Sequence, residues 1–213
     1  LALTLYVGLA TSPKAQASSS AKVYFKQYKE TKKFAHDLTA SFSYQLPQLK
    51  GNSAAIKKIN RVLQKDYKNE LNSKENMYTQ ADSDAESEEN LDIPKRHNNV
   101  KTNVTYNKNN IVSIRRYQKV NTNGLENIDI GGWTFSLKTG KSLRLYDVTK
   151  ESRSTVNKKL KDKYFEMGAD KSYIKMHGLA NLPFFIKKGK VYAYTEFTFV
   201  SYRHPAVFTS RYK

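Results

Sequence analysis

The 213-residue sequence contains no cysteine, which excludes a disulfide framework and a thiolate metal site. Stability has to come from an ordinary packed core. Acidic residues are also scarce, 19 Asp and Glu against 37 Lys and Arg, for a formal charge of +18. Six of those acids, Asp82, Asp84, Glu86, Glu88, Glu89 and Asp92, share one stretch that holds no Lys or Arg. The four histidines, His36, His97, His177 and His204, lack the paired spacing of a zinc site. No metal and no other cofactor is implied. A Gly-x-Ser-x-Gly elbow and a dinucleotide fingerprint are missing. Gly140-Lys141-Ser142 imitates the end of a phosphate loop, but Phe135 stands where its first glycine belongs. No catalytic residue is assigned.

What is present begins with an apolar run over residues 1–10, followed by Ala15-Gln16-Ala17, small residues at the two recognition positions of a secretory cleavage site. The expectation is a signal-peptide remnant over 1–17, without its charged leading region, and a mature start at Ser18. Ten residues span about 15 Å as a helix against a hydrocarbon core of about 30 Å, so a signal peptide is expected here rather than a membrane anchor. No later segment is apolar enough to span, and no transmembrane segment is expected in the mature chain. The hydrophobic fraction of 38% and the aromatic fraction of 12% suffice for one core. The expected organisation is a lead-in segment over 18–36 and one domain over 37–213, or two intimate halves, 37–97 and 98–213.

Period-two alternation puts Leu38, Ala40, Phe42, Tyr44 and Leu46 on one face of a strand over 37–46, which Pro47 and Gly51 end. Asn52 or Ser53 caps a helix in which Ile56, Ile59, Leu63 and Tyr67 recur at helical spacing. Residues 72–96 show no sustained apolar period and read as an exposed loop carrying the acidic run. Val100, Thr102, Val104 and Tyr106 pair with 111–117 as a hairpin, and a further strand carries Trp133, Phe135 and Leu137. A second helix, starting at Asp147 or Thr149 and stopping near Gly168, presents Val156, Leu160 and Tyr164 inward and the basic residues Arg153, Lys158, Lys159, Lys161 and Lys163 elsewhere. One more helical turn is expected over 173–176, then a strand at 184–186 and a long aromatic strand over 191–202. The fold class is α+β: an antiparallel β-sheet with two main helices packed on it.

Two stretches carry a resemblance. Residues 44–51, Tyr-Gln-Leu-Pro-Gln-Leu-Lys-Gly, followed by the helix with Ile59 and Asn60, form one. Residues 110–115 and 133–147, with the turn Thr139-Gly140-Lys141, form the other. Together they resemble the envelope domain found in lysozyme-sensing anti-sigma factors of the RsiV type and ahead of some peptidoglycan deacetylase domains. The resemblance implies a mixed α+β fold in a secreted or tethered setting, and no catalysis, because the deacetylase activity of those relatives belongs to a separate domain. The sequence departs from it at residues 121–127, where a glycine-rich, His-containing loop is usual.

The expected function is therefore a secreted, cell-wall-associated binding or sensing module without catalytic activity. Its partner is an anionic wall polymer or an envelope protein, the polymer meeting Arg153, Lys158, Lys159, Lys161 and Lys163. Export argues against nucleic acid. The alternatives are a lysozyme-binding protein and a wall-modifying hydrolase with a site assembled by the fold. Lysozymes of the common type are cationic and repel this surface; only the stretch from Asp82 to Asp92 complements them.

Overall fold

The computed structural model describes residues 20–122, 124–166, 168, 171–172, 182–194 and 205–212. The signal-like run, the turn expected over 173–176, residues 195–202 of the aromatic strand, His177 and His204 lie outside the described residues. The elements in order are β1 (Val23–Lys33), β2 (Thr39–Leu49), α1 (Ala54–Ser87), β3 (Lys95–Lys108), β4 (Ile111–Asn121), β5 (Asn127–Ser136), α2 (Leu145–Val148), α3 (Arg153–Glu166), β6 (Phe184–Lys187), β7 (Lys190–Ala193) and β8 (Ala206–Thr209). Strands β1 to β5 form one sheet in sequence order, and β6 to β8 form a second.

The class is α+β, and the larger sheet is mixed. Strands β2 and β3 run parallel, while the other pairs are antiparallel. A parallel pair needs a crossover, and α1 supplies it. Ser53 starts this helix by accepting a hydrogen bond from Ile56 N at 3.2 Å. Here the structure corrects the loop expected over 72–96. The helix runs unbroken to Ser87, and Glu88 closes it in the left-handed region at φ 57°. Its 34 residues reach about 50 Å. Pro47 does not end β2 either, because the strand continues to Leu49 beside the edge strand β1.

The larger sheet separates two apolar clusters. On its first face Ala40, Phe42, Tyr44, Leu46, Val100, Val112, Ile114 and Phe135 meet Ile59, Leu63, Met77, Tyr78 and Ala81 of α1. Each large apolar side chain buried there contributes roughly 1.5–3 kcal/mol. The second face, over the β4–β5 end, packs with the smaller sheet, α2 and α3. Gly131 and Gly132 allow that approach: a Cβ on Gly132 would lie 3.1 Å from Phe184 O and 2.3 Å from Ile114 O. Ser113 ties the layers together, sharing a hydrogen bond with the Thr134 hydroxyl at 2.8 Å and accepting one from Ile186 N at 2.9 Å.

Candidate functional site

Of the five expected basic residues, α3 exposes Arg153, Lys158, Lys159 and Lys161, and half-buries Lys163. At about 100° per residue they surround the helix rather than line one side. Lys158 and Lys161 fall on one flank of the buried stripe Val156, Leu160 and Tyr164, and Lys159 and Lys163 on the other. Three have local partners. Arg153 lies over the Tyr146 ring at 4.7 Å, Lys159 over Phe208 at 5.3 Å, and Lys163 pairs with Glu166 at 2.5 Å.

The acidic run is divided in the same way. Asp82, Glu86, Glu88, Glu89 and Asp92 are exposed, but Asp84 is buried and meets buried Arg96 at 2.5 Å. Burial pushes the Asp84 carboxyl up; Arg96, with Gln80 and Asn90, outweighs it and holds the group below the ordinary Asp range. Asp84 is thus a structural partner of β3.

The strands impose a further order on charge. Paired residues share a face, so the register groups Lys29, Ser43, Asn99 and Lys119 into one row across β1 to β4. Lys33, Thr39 and Lys95 form a second row. Lys101, opposite Tyr117, and Arg115, opposite Asn103, lie on the same face. The positions of β1 to β5 that share this second face include no Asp or Glu. Lys29, Lys33, Lys95 and Lys101 are exposed. Lys119 pairs at the rim with Glu126, at 2.8 Å.

The first face holds the carboxylates, and they are matched. Arg116 meets Glu70 at 2.5 Å, Asp129 at 2.9 Å and Asp66 at 3.4 Å. Tyr44 donates to Asp66 at 2.6 Å, and Asn98 and Gln118 each donate to Glu70 at 2.9 Å. Burial, then the Asp66 carboxylate, push the Tyr44 hydroxyl far above its ordinary value, which keeps it a donor. Lys74, buried among Phe42 and Tyr78, pairs with Glu30 at 2.7 Å and Glu75 at 2.9 Å.

Where the second face meets the smaller sheet, Arg115 lies over Tyr117 at 5.5 Å and Phe185 at 5.8 Å. Phe185 stacks on Tyr192 and Tyr194, with centroids at 5.4 and 6.1 Å. The buried Nε of Arg115 has no hydrogen-bond partner among the described residues. A separate groove of about 490 Å³ runs beside the second half of α1, lined by Ser73, Asn76, Met77, Gln80, Asp84, Asn90, Ile93 and Thr122. Its carboxylate is the one held by Arg96. No group of three or more His, Asp or Glu fit to hold a metal occurs among the described residues.

No family model and no curated protein matches the sequence. Solved structures do. A member of the DUF3298 family from Bacteroides fragilis superposes over 91% of each chain at 11% identity, with a TM-score of 0.54. A DUF3298 family protein from Pseudomonas aeruginosa does so over 90% of each chain at 13% identity, with a TM-score of 0.52. The chain shares the fold of these DUF3298 proteins. At such identity the likeness concerns backbone arrangement alone, so the DUF3298 comparison assigns none of the charged residues above a role.

The second-face cations Lys29, Lys33, Lys95, Lys101 and Arg115 are not among the basic residues expected from the sequence, all of which lie on α3. The signal was available: across the first four strands the positions on that face include no acid, and β1, β3 and β4 place bases there.

Proposed function

We propose that the chain is a non-catalytic binding module of the cell envelope, secreted and wall-associated, whose partner is an anionic wall polymer. The observation that supports this reading most is the separation of charge by the larger sheet. The acids packed at the first face, Glu30, Asp66, Glu70, Asp84 and Asp129, are paired with Lys74, Arg116 and Arg96, whereas the second face presents cations and no acid to solvent. Such a surface attracts polyanions over a distance that salt shortens to about 8–10 Å. The signal-like run at 1–17 and the resemblance to RsiV-type and deacetylase-linked envelope domains support export. No helix among the described residues is long and apolar enough to cross a membrane.

Sedimentation of the protein with purified cell walls tests this, before and after the anionic polymers are extracted. Retention at low ionic strength that falls with salt and disappears on extraction is expected. Absence of retention from intact walls even at low ionic strength would overturn the reading.

A second reading rests on a different observation. Asp82, Glu86, Glu88, Glu89 and Asp92 gather near the C-terminal end of α1, whose last turn holds no base, so they add to the negative end of the helix dipole. This arrangement fits docking of a cationic envelope protein such as a lysozyme. Titration with lysozyme of the protein and of an Asp82→Asn, Glu86→Gln, Glu89→Gln variant decides it: weaker binding by the variant supports docking there, and equal binding removes it.

A further inference from the structure

We infer that the second face of the five-stranded sheet is the polymer-binding surface, and that its ligand is a polyol-phosphate chain, hydroxyl-rich and bearing one phosphate per repeat. The inference rests on the proposed function and deepens it. Within a row, strands lie about 4.8 Å apart, which puts Lys33 and Lys95 about 10 Å apart and Lys29 and Lys119 about 14 Å apart. At such backbone spacing a single small anion engages one or two of these cations, whereas a chain with a charge on each repeat can engage several at once. The multiplied contact compensates for the low strength of each exposed pair.

Lysine dominates this face. An ammonium is a compact point charge on a flexible stem, suited to a phosphate approached from any side, whereas planar carboxylates favour the guanidinium fork. Between the cations the floor is hydroxyl and amide: the Ser43 hydroxyl donates to Asn99 Oδ1 at 2.9 Å, and Thr102 N donates to Gln45 Oε1 at 3.0 Å. Tyr117, Tyr192 and Tyr194 form a wall at one end, with the Arg115 guanidinium over Tyr117 and Phe185. On α3, by contrast, Arg153, Lys159 and Lys163 are taken up locally and the rest are dispersed around the helix.

Equilibrium titration of the full chain with poly(glycerol phosphate), at several salt concentrations, tests the inference. Three proteins are compared: the unaltered chain, a Lys29→Gln, Lys33→Gln, Lys101→Gln variant, and a Lys158→Gln, Lys161→Gln variant of α3. All the changed side chains are exposed, and circular dichroism checks that each protein folds. The open-face variant is expected to bind about tenfold or more weakly, with the slope of log affinity against log salt reduced by about two, whereas the α3 variant changes less than about twofold. Equal binding by the open-face variant and the unaltered chain overturns the site while leaving the polymer-binding function standing. A protein that is retained by walls yet does not bind poly(glycerol phosphate) overturns the ligand class. Tighter binding of a polyuronate or of duplex DNA at matched charge concentration overturns it as well.

Discussion

Tyr44 and Asp84 show how polar side chains specify this interior. The Tyr44 hydroxyl donates to Asp66, which also faces Arg116, so Tyr44→Phe leaves a carboxylate short of a donor. A loss of about 1–3 kcal/mol in urea unfolding is expected. Removing the Asp84 carboxylate strands the buried Arg96 guanidinium, and Asp84→Ala should cost about 3–5 kcal/mol. Because the folded Asp84 pKa is depressed, its contribution is fully present above the unfolded value of about 3.9 and is lost as pH falls through the lower folded value. The stability gap between the unaltered protein and Asp84→Asn should therefore be full at neutral pH and shrink in acid below about pH 4; a gap that widens there would contradict the assignment. These same residues explain why the second half of α1 escaped a reading by apolar period. Its buried stripe is Lys74, Met77, Tyr78, Ala81, Asp84 and Ala85, helically spaced but interrupted by two ionised side chains. Two of their partners, Glu30 and Arg96, stand on other elements, β1 and β3.

The strongly periodic elements were legible, and their departures have local causes. Strand β2, the first half of α1, the β3–β4 hairpin and the stripe of α3 all stand where the pattern places them. The hairpin turn uses Asn109 and Asn110, both at positive φ, as a tight two-residue connection demands. An irregularity between Val104 and Tyr106 then shifts the register, so Tyr106 joins Ile111 in the second cluster and not Val104 in the first. An inserted residue of this kind leaves no mark in the alternation read before it. Gly140 illustrates a constraint between elements. Its φ is +68°, and a Cβ there would approach Ala55 O at 2.5 Å, so the Thr139-Gly140-Lys141 turn lies against the start of α1. Gly140→Ala combines backbone strain with that clash and should cost about 2 kcal/mol or more, read as a lowered thermal midpoint. At the other end of α1, Glu86→Lys replaces an acid with a base beside the negative helix terminus, and a gain of about 0.3–1 kcal/mol is expected in the same assay.

At the scale of the whole molecule, the larger sheet sorts both apolar surface and charge. Its first face packs on α1 through one apolar cluster and a set of matched ion pairs. Its second face is divided, with the smaller sheet, α2 and α3 over one end and exposed cations over the other. The net charge was visible in composition, and the expectation of a polyanion partner rests on it. The surface was not, because α3 drew attention as a dense run of bases, whereas the open-face lysines come from strands far apart in the chain. Register brings them together, and register is a tertiary property. Lysine-acylation footprinting with and without poly(glycerol phosphate), read by mass spectrometry, tests the account most directly. Protection of Lys29, Lys33, Lys95 and Lys101, with Lys158 and Lys161 still reactive, is the predicted result; protection confined to the α3 lysines would contradict it.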